Sequence, residues 1–365
     1  MVRATRAAGR TPSPVICFST GAGRIRVGIV GCGKITQRLA LPQLAACPDA
    51  DVAALVDINR AAASRLAARF AIDPRRIWTD WRRMLRNAEV DAVAVCVPNA
   101  LHAEVAIAAL EAKKHVLVEK PMALTLDEAD AMLEAARANR RYLFVEQTQR
   151  FDPVHETAYE VLRSGRLGRL HMVRGRIGHA GPEYWSPTSR WFLNRRQAGG
   201  GAIMDVGVHI VDLLRWFVGA RVRRVCAVAK TLQKSIRVED NAGGLLEFAD
   251  GTLGAFEVSW TTRPYEVSTC CYAERGQLRT AIGTPEPVVV RRSRPSGDPN
   301  LPDEEQHPAV SKTSRHGGAY PYFVRCIQQR IPPFVSGEEG RSTLEVILAI
   351  YRSIVHRCWV ELPGR

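Results

Sequence analysis

The chain has 365 residues, 46% of them hydrophobic and 24% charged, which is globular composition with room for two cores. Its net charge of +14 comes largely from Arg scattered singly or in pairs among Ala, without interleaved aromatics, so it implies a basic surface and no nucleic-acid groove. No run approaches the roughly 18 consecutive apolar residues of a membrane span, and nine Cys without a C-x-x-C pair fit reduced thiols in the cytoplasm.

Residues 1–23 are basic and lack acids; they are read as a disordered or mis-assigned N-terminal extension outside the fold. From 24 onward, strand-like and helix-like segments alternate. "RIRVGIVG" (24–31) is a Val/Ile-rich strand, followed by a glycine turn and a helix to about Ala46. "DVAALVDIN" (51–59), "VDAVAVCVP" (90–98), "HVLVEKP" and "YLFVEQ" (142–147) are further strands, separated by segments of helical spacing. Thr125 opens one of these helices, with Glu128 three residues later in a capping box. The pattern predicts an α/β unit over 24–148: a doubly wound parallel sheet with helices on both faces.

After about Gln149 the pattern changes. Short strands follow one another by turns over 168–178 and 221–290, with an Asp-Gly hairpin signal at "ADGT" (249–252). This predicts an α+β unit over 149–365: an open, mostly antiparallel sheet covered by helices at roughly 202–217 and 341–357. The last of these is placed to pack back on the first unit. Residues 291–316, rich in Pro and polar groups, are read as a surface loop.

In "VGIVGCGKIT", Gly31 permits a tight turn and Gly33 lets backbone approach a pyrophosphate at the helix N-terminus, where Lys34 and Ile35 follow. Thr36 stands where a third glycine completes the fingerprint. Cys32 is a small apolar filler or, less simply, a nucleophile. Asp57 ends the second strand about 20 residues on, where a carboxylate binds ribose hydroxyls and repels a 2′-phosphate. This favours NAD over NADP. Asn59 and Arg60 adjoin it as further cofactor-binding candidates, and an arginine there is the feature that accommodates a phosphate. The plainer alternative is an Asp that caps the next helix.

"VPNALHAEVAIAALEAKKHVLVEKP" and "AGGGAIMDVGVHIVDLLRWFVG" together resemble the glucose–fructose oxidoreductase / inositol dehydrogenase / rhizopine-catabolism (Gfo/Idh/MocA) family, over about 24–365. The resemblance implies an N-terminal Rossmann domain, and a C-terminal open sheet that binds substrate and forms a homodimer or homotetramer. It implies NAD(P)-dependent chemistry on a hydroxyl or keto carbon of a sugar, sugar derivative or cyclitol. It makes Lys120 of Glu119-Lys120-Pro121 the catalytic lysine, matches Asp205 and His209 to the family's Asp-x-x-x-His motif, and places Pro98, Asn99, His102 and Glu119 near the cofactor. Thr36 and Lys114 depart from the family pattern.

Read from the residues alone, Gly199–Gly201 allow close backbone approach, and the helix after them carries Asp205, His209, Asp212 and Trp216 on one face. Oxidising an alcohol requires a base for the hydroxyl proton and a cation for the developing alkoxide. His209 and Lys120 supply these, and a nearby Lys120 lowers the imidazole's pKa. Asp205 orients substrate or imidazole; Asp212 does the same or serves structure. Asp205 and His209 have the spacing of two metal ligands, but no further cluster completes a site, so no metal is expected. Trp185, Trp191 and Arg195 either face a carbohydrate or pack the sheet's edge, and Arg150, His179 and Tyr320 are further pocket candidates. Two rival functions are a glycoside-cleaving enzyme with tightly bound NAD and a non-catalytic NAD(H)-binding regulator.

Overall fold

The structure, a computed structural model, describes residues 23–364 except 188 and 294–303. The expectations for 1–22 and for the middle of the 291–316 loop therefore lie outside the described residues.

Six strands form the first sheet: β1 (Ile25–Val30), β2 (Ala50–Val56), β3 (Ile77–Trp78), β4 (Ala92–Val95), β5 (His115–Val118) and β6 (Leu143–Val145). Their order is β3-β2-β1-β4-β5-β6, all parallel. That order reverses between β1 and β4, where ligands of doubly wound sheets bind beyond the strand ends. The apolar runs are continuous because both faces are covered: Val93 and Val95 enter one core, Ala92 and Ala94 the other. The capping box forms as read, with Thr125 accepting from the Glu128 amide at 3.1 Å.

The second sheet contains β7 (Leu170–Gly178), β8 (Val222–Lys230), β9 (Asn241–Phe248), β10 (Leu253–Ser259), β11 (Glu266–Ala273), β12 (Gly276–Ala281), β13 (Val288–Arg292), β14 (Glu304–Gln306) and β15 (Val360–Glu361). Its order is β14-β13-β12-β11-β7-β10-β9-β8-β15, antiparallel except for the β7–β10 pair. β13 and β14 correct the reading of 291–316 as loop throughout. Arg291 faces Glu305 and Arg292 faces Glu304 across them, and opposite charges in register support the pairing.

The helix Val208–Val218 lies on one face of this sheet, close enough that a Cβ on Gly175 would meet Ile210 at 2.4 Å. Gly219 ends it in the left-handed conformation, φ 74°, as a C-terminal glycine cap. Among the described residues, the opposite sheet face exposes Met172, Val228, Leu245, Leu253 and Tyr272.

The final helix, Gly337–His356, starts four residues earlier than read and spans both sheets. Its first turns meet β6 at Gly340 and pair Arg341 with Asp130 at 2.6 Å. Ser353, near its end, accepts from the β8 amide of Ala227 at 3.1 Å. A helix over Ala319–Gln329 was not expected from the sequence, because Gly318 precedes it and Pro321 interrupts it. Pro321 occupies the first turn, where its missing N–H is not needed. This helix delivers Tyr320 and Phe323 into the first core.

Asp212 and Arg150 are not in the cleft. Arg150 donates to both Asp212 oxygens at 2.7 and 2.8 Å and to Glu339 at 2.8 Å, and Thr343 donates to Asp212 at 3.0 Å. Both side chains are buried, so the sequence's polar helix stripe divides: its Asp212 end is a structural bridge to the final helix.

Candidate active site

A cleft of about 830 Å³ runs from the glycine turn to the start of the Ile203–Val218 helical segment. At its first end Gly31 has φ +99°, and a Cβ there would lie 2.2 Å from the Cys96 carbonyl oxygen. Only glycine fits. The Cβ direction of Gly33 meets nothing within 4 Å, which leaves backbone open to a ligand beside the following helical turn. Thr36 is fully buried and donates to the Gly31 carbonyl at 2.6 Å, so the residue replacing the third glycine locks the turn by its hydroxyl. Cys32 packs as the filler expected, its thiol pushed up to about 12 by burial and then by Asp57.

Asp57 borders the cleft. Its two oxygens accept from the Cys32 amide at 2.8 Å and the Asn59 amide at 2.8 Å, which ties the carboxylate to the glycine turn. Lys34, Ile35 and the 94% exposed Ile58 border the same end. Asn59 and Arg60 do not. Asn59 caps the next helix by accepting from the Ala62 amide, and Arg60 points at the Ile77 carbonyl, 3.5 Å away. The capping role considered for Asp57 thus falls to Asn59.

Farther along, Pro98, Asn99, His102 and Glu119 border the cleft. Asn99 donates to the Ala198 carbonyl at 2.9 Å, joining the loop after β4 to the glycine segment 199–201. His102 sits between the carbonyls of Pro121, 2.7 Å, and Val97, 2.9 Å. The Lys120–Pro121 bond is cis.

Lys120 donates to the Asp205 main-chain oxygen at 2.8 Å and to its carboxylate at 2.9 Å. The other carboxylate oxygen accepts from Trp260 Nε1 at 3.0 Å and stands 3.3 Å from His179 Nε2. Burial would raise the Asp205 carboxyl, but Lys120 and then His179 outweigh it and hold the group far below the ordinary range. Asp205 lies in a π-helical turn, Ile203–Gly207, that leads into the Val208–Val218 helix. Glu239 fastens this start by accepting from the Gly201 and Ile203 amides and from Tyr351 at 2.7 Å. The glycines are required: a Cβ on Gly200 would sit 1.8 Å from the Tyr351 hydroxyl and one on Gly201 2.0 Å from the Glu239 carbonyl.

His209 also borders the cleft. Among the described residues neither of its ring nitrogens has a hydrogen-bond partner, and Nδ1 is buried. Burial, then Lys120, push its pKa down to about 3. His179 differs: its Nδ1 accepts from the Gly181 amide at 2.9 Å, which assigns the proton to Nε2, facing Asp205. Its acceptor nitrogen is already used.

Trp185 and Trp191 flank Phe192, at ring-centroid distances of 4.9 and 3.7 Å, and border the cleft. Arg195 does not. It opens a one-turn helix capped by Asn194 and is exposed away from the cleft wall. Sequence reasoning gave His179 little weight and missed Trp260, since no periodicity links either to Asp205. Among the described residues no His/Cys/Asp/Glu group has the makings of a metal site.

An ammonium held against a carboxylate, at the far end of a cleft opened by a glycine turn, suits hydride chemistry with a dinucleotide cofactor. The class is NAD-binding oxidoreductase. Residues 25–147 match the family model described as "Oxidoreductase family, NAD-binding Rossmann fold", and 155–279 match the "GFO/IDH/MocA C-terminal domain". The chain is 30% identical over 279 residues to the 1,5-anhydro-D-fructose reductase of Ensifer adhaerens, covering 75% of this chain and 80% of that one. It is 26% identical over 348 residues to the myo-inositol 2-dehydrogenase of Thermotoga maritima, covering 93% and 98%. The crystal structure of the WlbA dehydrogenase from Bordetella pertussis, in complex with NADH and UDP-GlcNAcA, superposes with TM-score 0.80 at 28% identity, covering 94% of this chain and all of that one. The chain belongs to the Gfo/Idh/MocA oxidoreductase family, whose members here include sugar and cyclitol dehydrogenases and reductases.

Proposed function

We propose that this oxidoreductase acts with NAD on a CH–OH or keto carbon of a sugar, sugar derivative or cyclitol, with Lys120, Asp205 and His209 as its chemical groups. The observation that carries this reading is the Lys120 ammonium bonded to Asp205 beside an unpartnered His209. Bound in the cleft, NAD supplies a hydride acceptor at nicotinamide C4. The Gly31–Gly33 turn with Lys34 and Ile35 holds its pyrophosphate, Asp57 its ribose hydroxyls, and Pro98, Asn99, His102 and Glu119 its nicotinamide half.

Lys120 stabilises oxyanion character on the substrate, and Asp205 fixes the ammonium's direction. His209 takes the hydroxyl proton. Its pKa of about 3 keeps the imidazole neutral and ready to accept; alkoxide developing beside it raises its proton affinity in the transition state. His179 cannot serve without breaking its Gly181 bond, so it positions Asp205. Trp185 and Trp191 offer flat faces to sugar C–H surfaces.

Asp57 sets the cofactor preference, and the Arg60 guanidinium reaches the Ile77 carbonyl at 3.5 Å. Like charges about 4 Å apart repel by about 1–4 kcal/mol in water-like to protein-like surroundings, so NAD exceeds NADP by about fivefold or more in kcat/KM. Asp57→Ala narrows that ratio. Steady-state kinetics with both cofactors decide it, and an NADP preference in the native chain would refute the assignment.

The exposed apolar face of the second sheet supports a homodimer or homotetramer, with Val228 of β8 and Leu245 of β9 exposed on it. Val228→Arg with Leu245→Arg is expected to give monomers by light scattering. An unchanged assembly would place the interface elsewhere. Among the described residues Cys32, Cys96, Cys226, Cys270, Cys271, Cys326 and Cys358 carry free thiols, which fits a reducing, cytoplasmic setting.

A further inference from the structure

The proposed mechanism leaves two buried acids without a task. Glu119 and Glu146 follow the last paired residues of β5 and β6, where Val118 and Val145 are in register. Glu119 donates its amide to the Val95 carbonyl at 3.0 Å, and Glu146 donates to the Val118 carbonyl at 2.8 Å, so the parallel ladder continues through both. Cys96, Glu119 and Glu146 therefore form one row across three strands, against the helix that carries Tyr320. Neighbouring strands stand about 4.8 Å apart, which makes the two carboxyl groups close neighbours.

Neither group is neutralised by an ion pair among the described residues, since the Lys120 ammonium bonds to Asp205. Glu119 accepts from the Tyr320 hydroxyl at 3.0 Å, and Tyr320 in turn lies 3.6 Å from the Cys96 thiol. Glu146 is fully buried; one oxygen accepts from the Thr148 amide at 3.1 Å and hydroxyl at 2.5 Å, and the other has no hydrogen-bond partner among the described residues. Two carboxylates so placed do not both ionise near neutrality.

We propose that Glu119 and Glu146 form a single proton site whose occupancy follows the charge of the nicotinamide: the pair loses its proton when NAD⁺ is bound and regains it when NADH is bound. This rests on the NAD-dependent reading above. Glu119 borders the cleft beside Lys120, so a cationic ring there favours the doubly ionised pair and a neutral ring does not. The proton moves between carboxyl group and solvent, and the pair returns to its starting state each cycle, so overall stoichiometry is unchanged.

Burial pushes Glu119 up to about 7, and burial followed by the Glu119 charge pushes Glu146 up to about 8; Lys120 opposes both shifts. Cys96 and Tyr320 are pushed above their ordinary values by burial, while His102 and His209 are pushed below theirs.

Titration calorimetry of the full chain with NAD⁺ and with NADH, in two buffers of different ionisation enthalpy, tests the proposal. NAD⁺ binding releases more protons than NADH binding, and the NAD⁺-to-NADH affinity ratio rises with pH by about tenfold for each unit of displacement between the two bound states. Glu146→Gln retains binding of both nucleotides and flattens the ratio. Tyr320→Phe removes a donor to the ionised form and moves the transition to higher pH. Equal proton release for both nucleotides, or the native difference surviving in Glu146→Gln, overturns the proposal. Should that variant not fold, an unmoved midpoint in Tyr320→Phe does so instead. Failure of either nucleotide to bind the native chain would refute the NAD-dependent reading itself, a result distinct from binding without differential release.

Discussion

Lys120→Ala is expected to lower kcat about a thousandfold or more while NAD still binds within a few-fold of the native affinity. Removing one preorganised donor to a developing oxyanion costs about 10²–10³ in rate. Here the same change also frees Asp205, whose carboxylate keeps Trp260 and His179 but loses its cation. The adenosine end of the cleft, built on Gly31, Gly33 and Asp57, is formed by separate elements and keeps its geometry. Single-turnover kinetics beside calorimetric NAD titration separates the two effects. Native turnover in this variant would remove Lys120 from the chemistry.

The second large effect concerns stability. Arg150→Ala leaves Asp212 buried with, among the described residues, Thr343 as its one remaining hydrogen-bond donor, and leaves Glu339 with a longer pair to Arg215 at 3.7 Å. Breaking a buried pair by removing one partner costs about 3–5 kcal/mol. A loss of that size in urea unfolding is expected. Arg150→Met with Asp212→Leu recovers much of it, because the remaining groups then carry no uncompensated charge. A surface-like loss below about 1 kcal/mol for Arg150→Ala would show that the bridge is dispensable.

The sequence offered Lys120 as a catalytic group and Arg150 as a further pocket candidate, and of the two Lys120 alone borders the cleft. Lys120 was legible because the strand before it reads as a continuous apolar run and its end must point beyond the sheet. Asp205 and His209 were legible as neighbours on one helix. Asp212 and Trp216 share their stripe, yet Asp212 meets Arg150 and Trp216 stacks on Tyr159 at 4.0 Å. A stripe fixes which residues share a face and does not say which part of that face is covered by a helix from elsewhere in the chain. His179 and Trp260 meet Asp205 across 26 and 55 positions through the ends of β7 and β10, which pair in parallel. Local spacing carries no trace of that contact. β3, with two residues, is too short to show a period, and the helix carrying Tyr320 was obscured by Gly318 and Pro321. Arg195 sits three positions from the cleft-lining Phe192 and Ala198, but in its short helix it is exposed and does not border the cleft.

The proposed reaction is net hydride transfer to NAD by the Lys120–Asp205–His209 group. Its most direct test is the ultraviolet absorbance of NADH during incubation of the native chain and NAD with sugars, sugar acids, nucleotide sugars and inositols. NADH is predicted to accumulate with at least one of these, in step with loss of its hydroxyl group, and to fail to accumulate with Lys120→Ala. Glycoside cleavage without net NADH, or NADH formation that survives Lys120→Ala unchanged, would contradict the account.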